Sequence, residues 1–210
     1  MTEKEISRTC VKLGFLGDSS VGKTSICNVF MGIEFSQEMI STIGSNKLET
    51  KIVLNNGKQI KVVLWDTAGQ ERFHSMGLNT IKNANGVVVV FDVTNRDSFD
   101  SVNNWLEKIK ESCKNPALVL FANKADFPKE NWKVTNEEIE EFAKKMNLKF
   151  FETSAKANKG ITEGMSYIAN EAFNKITGNN IIIDNKEDDF EIVDGCFGKK
   201  KRRKKKNKAK

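Results

Sequence analysis

The chain has 210 residues, 39% of them hydrophobic, enough for one globular domain with a core and some length left over. Its net charge of +6 is uneven: residues 199–210 alone supply +10, leaving −4 for everything before them. Four scattered cysteines (Cys10, Cys27, Cys113, Cys196) make no CxxC pair or zinc spacing, and no apolar run approaches a membrane span. Residues 1–9 are polar with no apolar leader, and Thr2 stands where myristoylation needs glycine. A disulfide scaffold, a zinc module and a membrane-spanning protein are excluded, and a reduced, cytosolic chain is expected.

After the N-terminal extension of residues 1–9, VKLGFL (11–16) is the first predicted strand, and the spacing predicts a helix over 22–31. KLETKIVL (47–54) alternates in polarity, and Asn55-Asn56-Gly57 turns it into KQIKVVLW (58–65), which predicts an antiparallel hairpin at the sheet edge. A weaker helix is predicted near 74–84. GVVVVFDV (86–93), ALVLFA (117–122) and LKFFE (148–152) are near-continuous apolar runs, as strands covered on both faces are. Helices are predicted over 97–113, 135–146 and 161–176. Thr135 with Glu138 makes a capping box, and Gly178 is a stop signal. The expectation is a doubly wound α/β sheet of six strands, five of them parallel and one an antiparallel edge strand, with about five helices. The globular domain spans 10–178, and residues 179–210 are read as a flexible extension.

Gly17-Asp18-Ser19-Ser20-Val21-Gly22-Lys23-Thr24 fits G-x-x-x-x-G-K-[ST] between a strand and a helix. Glycines there let backbone N–H groups wrap a phosphate, Lys23 reaches outer phosphates, and the Thr24 hydroxyl can hold Mg²⁺. Asp66, in WDTAGQERF, ends the third strand on the same sheet edge, where a carboxylate can serve the Mg²⁺ shell opposite Thr24. Asn123-Lys124-Ala125-Asp126 follows the fifth strand. An aspartate accepts from both the N1–H and the 2-amino group of guanine, a donor pair that adenine lacks, so Asp126 points to guanine. Glu152-Thr153-Ser154-Ala155-Lys156 ends the sixth strand and can close over the base from the far side.

GDSSVGKT, STIG (41–44), WDTAGQ, NKAD and ETSAK together resemble the five nucleotide motifs of the Ras superfamily of small GTPases over residues 10–177. STIG, WDTAGQERF and VFDVTNRDSF most resemble the Rab family of membrane-traffic switches. The resemblance implies the P-loop GTPase fold, GTP and GDP as ligands, Mg²⁺ as cofactor and slow GTP hydrolysis. It implies that Thr42 joins Thr24 and Asp66 around Mg²⁺ and that Gly69 donates its N–H to the γ-phosphate. Gln70 would orient the attacking water, with Lys23 and Gly69 completing the catalytic set. Ser25, Lys124, Ser154 and Lys156 join the nucleotide-binding set. Phe35 would lie against the guanine, Asn123 would brace the phosphate loop and bind the base, and the Ala155 N–H would meet O6. No cis arginine finger is found, so an activating protein is expected, along with an exchange factor and effectors reading switch I (33–47) and switch II (67–80).

Departures from the Rab pattern lie at the effector-reading surface and the C-terminus. Ser45-Asn46-Lys47 replaces Val-Asp-Phe, and Thr80-Ile81-Lys82-Asn83-Ala84 replaces Tyr-Tyr-Arg-Gly-Ala, while Trp65 and Phe73 remain. The chain has neither paired terminal cysteines nor a C-a-a-X box. The basic run is expected to tether the protein to an anionic membrane surface, assisted by acylation of Cys196, on the cytosolic face of an intracellular membrane. Its alternative is a nuclear import signal, as in a Ran-like GTPase, with nucleic acid a less favoured partner. A GTP-dependent scaffold that does not hydrolyse is the other alternative, and retention of Gln70 counts against it. A monomer is expected. His74 lacks a catalytic neighbourhood, Cys10, Cys27 and Cys113 read as packing residues, Trp105 as the core face of a helix and Trp132 as a loop anchor.

Overall fold

The computed structural model describes residues 10–37, 45–67 and 81–178. Residues 1–9, STIG with Thr42, most of switch II with Gly69, Gln70, Phe73 and His74, and the tail with Cys196 lie outside them. So does most of the helix predicted near 74–84.

The elements in chain order are β1 (Cys10–Leu16), α1 (Lys23–Phe30), β2 (Ser45–Val53), β3 (Gln59–Thr67), β4 (Gly86–Asp92), α2 (Arg96–Asp100), α3 (Val102–Ser112), β5 (Ala117–Asn123), a 3₁₀ turn (Lys129–Asn131), α4 (Asn136–Lys145), β6 (Lys149–Glu152) and α5 (Ile161–Thr177). The six strands form one sheet in the order β2-β3-β1-β4-β5-β6. Only β2 runs antiparallel, paired with β3 from Ser45 opposite Thr67 to Val53 opposite Gln59. Gly57, at φ 76°, closes that hairpin, where its N–H donates to the Leu54 carbonyl at 2.8 Å. This is the expected fold, with two local differences. The helix expected over 97–113 starts at Arg96 and breaks at Ser101, and β3 runs two residues further than its apolar stretch.

Side-chain alternation along the central strands builds two cores, one on each sheet face. Val11, Leu13 and Phe15 of β1, Val88 and Val90 of β4, and Val119 and Phe121 of β5 face α1 and α5. Val87, Val89 and Phe91 of β4, with Leu120 and Ala122 of β5, face α2, α3 and α4. Each valine, leucine or phenylalanine among them, essentially removed from water, contributes about 1.5–3 kcal/mol. The Thr135 capping box forms with both bonds, and Gly178 caps α5 in the left-handed region. Rigid strands packed on both sides thus deliver their C-terminal ends, and the loops that follow them, to one edge. Among the described residues no helix is long and apolar enough to cross a membrane.

Candidate functional site

The loop leaving β1 turns sharply because Gly17 and Gly22 adopt φ values of 141° and 100°. A Cβ on Gly17 would overlap the Val90 carbonyl oxygen, and one on Gly22 would overlap Asn123 Nδ2, so both positions require glycine for space as well as conformation. Ser20 is also left-handed, at φ 63°. No side chain caps the start of α1, and its first turn holds no acidic residue, so its early N–H groups remain suited to an anion. Ser19 and Ser20 are exposed, Asp18 and Ser25 half-buried, and Val21 buried.

Lys23 is buried, and its Nζ donates to the Gly17 and Asp18 carbonyls at 2.8 and 2.7 Å. Burial pushes the ammonium down to about 8, opposed by the carboxylates of Asp66 and Asp18. A bound polyphosphate would favour the charged form further. Thr24 donates to Asp66 Oδ2 at 2.7 Å. Asp66 is 1% exposed, and its Oδ1 has no hydrogen-bond partner among the described residues. Burial raises the Asp66 carboxyl, against the Thr24 bond and the Lys23 charge. A buried carboxylate oxygen with nothing to accept is costly, and a hard cation shared with the Thr24 hydroxyl offsets that cost. The residues present therefore fit Mg²⁺. Thr67 fixes the end of β3 by donating from Oγ1 to the Phe15 carbonyl at 2.6 Å.

At the end of β5, Asn123 is buried, its Nδ2 donates to the Val21 carbonyl at 2.7 Å, and its Oδ1 accepts from Thr153 Oγ1 at 3.2 Å. The next residue, Lys124, is left-handed at φ 64°, and its ammonium pairs with Asp92 Oδ2 at 2.6 Å. The other Asp92 oxygen accepts from the Thr94 N–H and hydroxyl at 2.8 and 2.7 Å. Asp126 is exposed, and its Oδ1 accepts from Ser154 Oγ at 2.6 Å while its loop is tied to the segment after β6 by the Ala125 N–H to Thr153 carbonyl bond at 3.0 Å. Ser154 Oγ also accepts from the Ala157 N–H at 2.9 Å. Ala155 is buried, Lys156 exposed, and Phe35 36% exposed.

The structure thus brings the loop 17–24, Asp66, Asn123–Asp126 and Ser154–Lys156 to one edge of the sheet, whereas Thr42, Gly69, Gln70 and Cys196 lie outside the described residues. Chemically, this edge offers backbone donors and an ammonium to phosphates, two oxygens to a cation, and an exposed carboxylate to a base. Sequence reasoning missed Asp92 and the polar role of Trp105, whose Nε1 donates to Asp18 Oδ1 at 2.8 Å. A tryptophan assigned to a core face still has an N–H that needs an acceptor, and that was the available signal.

The sequence pattern of the Ras family matches residues 12–174. The chain is 39% identical over 153 residues to the Ras-related protein Rab-21 of Mus musculus, covering 72% of this chain and 68% of that protein. It is 38% identical over 174 residues to the Ras-related protein Rab-5B of Plasmodium falciparum (isolate 3D7), covering 82% and 83%. It is also 38% identical over 168 residues to the Ras-related protein Rab-13 of Rattus norvegicus, covering 80% and 82%.

Proposed function

The chain belongs to the Ras family of small GTPases, and from that premise we propose that it is a Mg²⁺-dependent guanine-nucleotide switch in vesicle traffic. The observation that carries the reading is the bond from Asn123 to Val21, which joins the segment suited to a guanine base to the loop suited to its phosphates. A mononucleotide spanning the two would be held at both ends by one rigid sheet edge.

In this reading Lys23 leaves the Gly17 and Asp18 carbonyls for the outer phosphates, and the loop N–H groups take the phosphate oxygens. Thr24, Thr42 and Asp66 would hold Mg²⁺, with Asp66 Oδ2 also accepting from the Thr24 hydroxyl. Bound Mg²⁺ neutralises charge on the β- and γ-phosphates. Gly69 donates to the γ-phosphate, and Gln70 orients water for in-line attack. Phe35, Asn123, Lys124, Asp126, Ser154, Ala155 and Lys156 surround the base. Hydrolysis is slow alone, and an activating partner accelerates it by about 10³ to 10⁵. Switch I and switch II order around the γ-phosphate and present the GTP state to effectors, while an exchange factor resets it. The protein acts as a monomer, peripherally on the cytosolic face of an intracellular membrane.

Single-turnover hydrolysis tests the enzymatic part of this reading. Gln70→Leu is expected to retain GTP while cleaving it at least about tenfold more slowly. An unchanged rate in the variant contradicts the role given to Gln70.

A further inference from the structure

We propose that Trp105 is a positioning residue for the phosphate loop, acting through the side chain of Asp18. The proposal rests on the reading that Gly17–Thr24 holds nucleotide phosphates. Trp105 is 3% exposed, on the face of α3 that packs into the core formed with Leu16, Val89 and Phe91. Core packing fixes the indole plane, and its Nε1 donates to Asp18 Oδ1 at 2.8 Å across 87 positions of sequence.

A carboxylate in a loop that gathers phosphates works against its own ligand, because like charges at close range repel most where water is scarce. Its charge also acts on the Lys23 ammonium, whose Nζ separately donates to the Asp18 backbone carbonyl at 2.7 Å. The indole N–H eases both conflicts without removing the charge. It holds Oδ1 toward α3, so the backbone of Asp18 faces the phosphate site while its charge is drawn aside. A hydrogen bond to a charged acceptor is the stronger kind, and the half-buried carboxylate has reason to keep it. Trp105 therefore acts at a distance, by deciding where the Asp18 charge sits.

A double-mutant cycle on the full-length chain separates this role from packing. Each protein is loaded with tritiated GDP, and release into excess unlabelled GDP is followed by filter binding, alongside a thermal melt. Trp105→Phe, which keeps an aromatic ring and removes the N–H, is expected to release GDP about tenfold faster than wild type. In an Asp18→Ala background the same Trp105→Phe change should alter the rate by less than about twofold, because no carboxylate remains to be held. Equal acceleration in both backgrounds, no acceleration in either, or failure to fold in both would assign Trp105 to packing alone and overturn the proposal. If the wild-type chain retains no GDP, the nucleotide reading falls and takes this inference with it.

Discussion

The Thr24 hydroxyl donates to one oxygen of Asp66 at 2.7 Å, and the other oxygen of that carboxylate is buried with no hydrogen-bond partner among the described residues. The pair joins the start of α1 to the end of β3. A half-satisfied buried carboxylate is a site that a cation stabilises.

Asp66→Asn removes the charge while keeping the shape, and it should weaken Mg²⁺ by about 10- to 100-fold. The readout is the Mg²⁺ concentration that slows GDP release by half. In wild type, chelation should accelerate release; in the variant most of that acceleration should already be present at ordinary Mg²⁺. An identical Mg²⁺ dependence in the two proteins contradicts the assignment.

The β2–β3 hairpin that carries Asp66 is braced on its outer face by Glu49, which pairs with Lys47 and Lys61 at 2.7 Å each. Those two hydrogen bonds hold the Glu49 carboxyl at about 2, against an ordinary value of 4.5. The folded state therefore binds fewer protons than the unfolded state between those limits. Its contribution to stability is present above pH 4.5 and is lost as pH falls toward 2. All three groups are exposed, so the effect is small and screened by salt. Glu49→Gln should lower the melting temperature at pH 6 in low salt, with the gap narrowing toward pH 3 and in 1 M salt. A gap indifferent to both conditions would mean that Glu49 acts through packing.

Residues 199–210 lie outside the described residues, so their role is tested by charge. Near an anionic leaflet each Lys or Arg is worth about 1 kcal/mol, so even half of the ten could hold a domain at the surface. Purified protein should float with liposomes containing anionic lipid at low salt, and should stay behind at high salt or without residues 199–210. Flotation that ignores both lipid charge and salt contradicts the electrostatic tether. Bare liposomes together with nuclear accumulation of a reporter carrying the tail would favour import. Loss on Cys196→Ser only in protein taken from cells would point to acylation.

Much of the scaffold was legible because its signals are local. The near-continuous run GVVVVFD becomes β4, buried along its whole length; Asn55-Asn56-Gly57 becomes the hairpin turn; Thr135 and Glu138 cap α4. The sharp turn of the loop 17–24 was legible for the same reason, since its glycines, lysine and threonine follow one another. Pairs made across the fold leave no such trace. Asp92 holds Lys124, and Trp105 holds Asp18, yet the residues of each pair are 32 and 87 positions apart. Only the strand order β1-β4-β5 brings them together. The break at Ser101 was hidden as well. The apolar spacing runs through it, while Asn95 caps a separate first turn by accepting from the Asp97 N–H.

The central claim is that this sheet edge selects guanine, and competition for bound tritiated GDP tests it most directly. GTP should displace the label from the wild-type chain at concentrations where ATP does not. Asp126→Asn should weaken GTP by about 10- to 100-fold and favour xanthosine triphosphate, because the amide donates where xanthine presents a carbonyl. Equal displacement by GTP and ATP, or an Asp126→Asn variant with unchanged GTP affinity, would contradict the account.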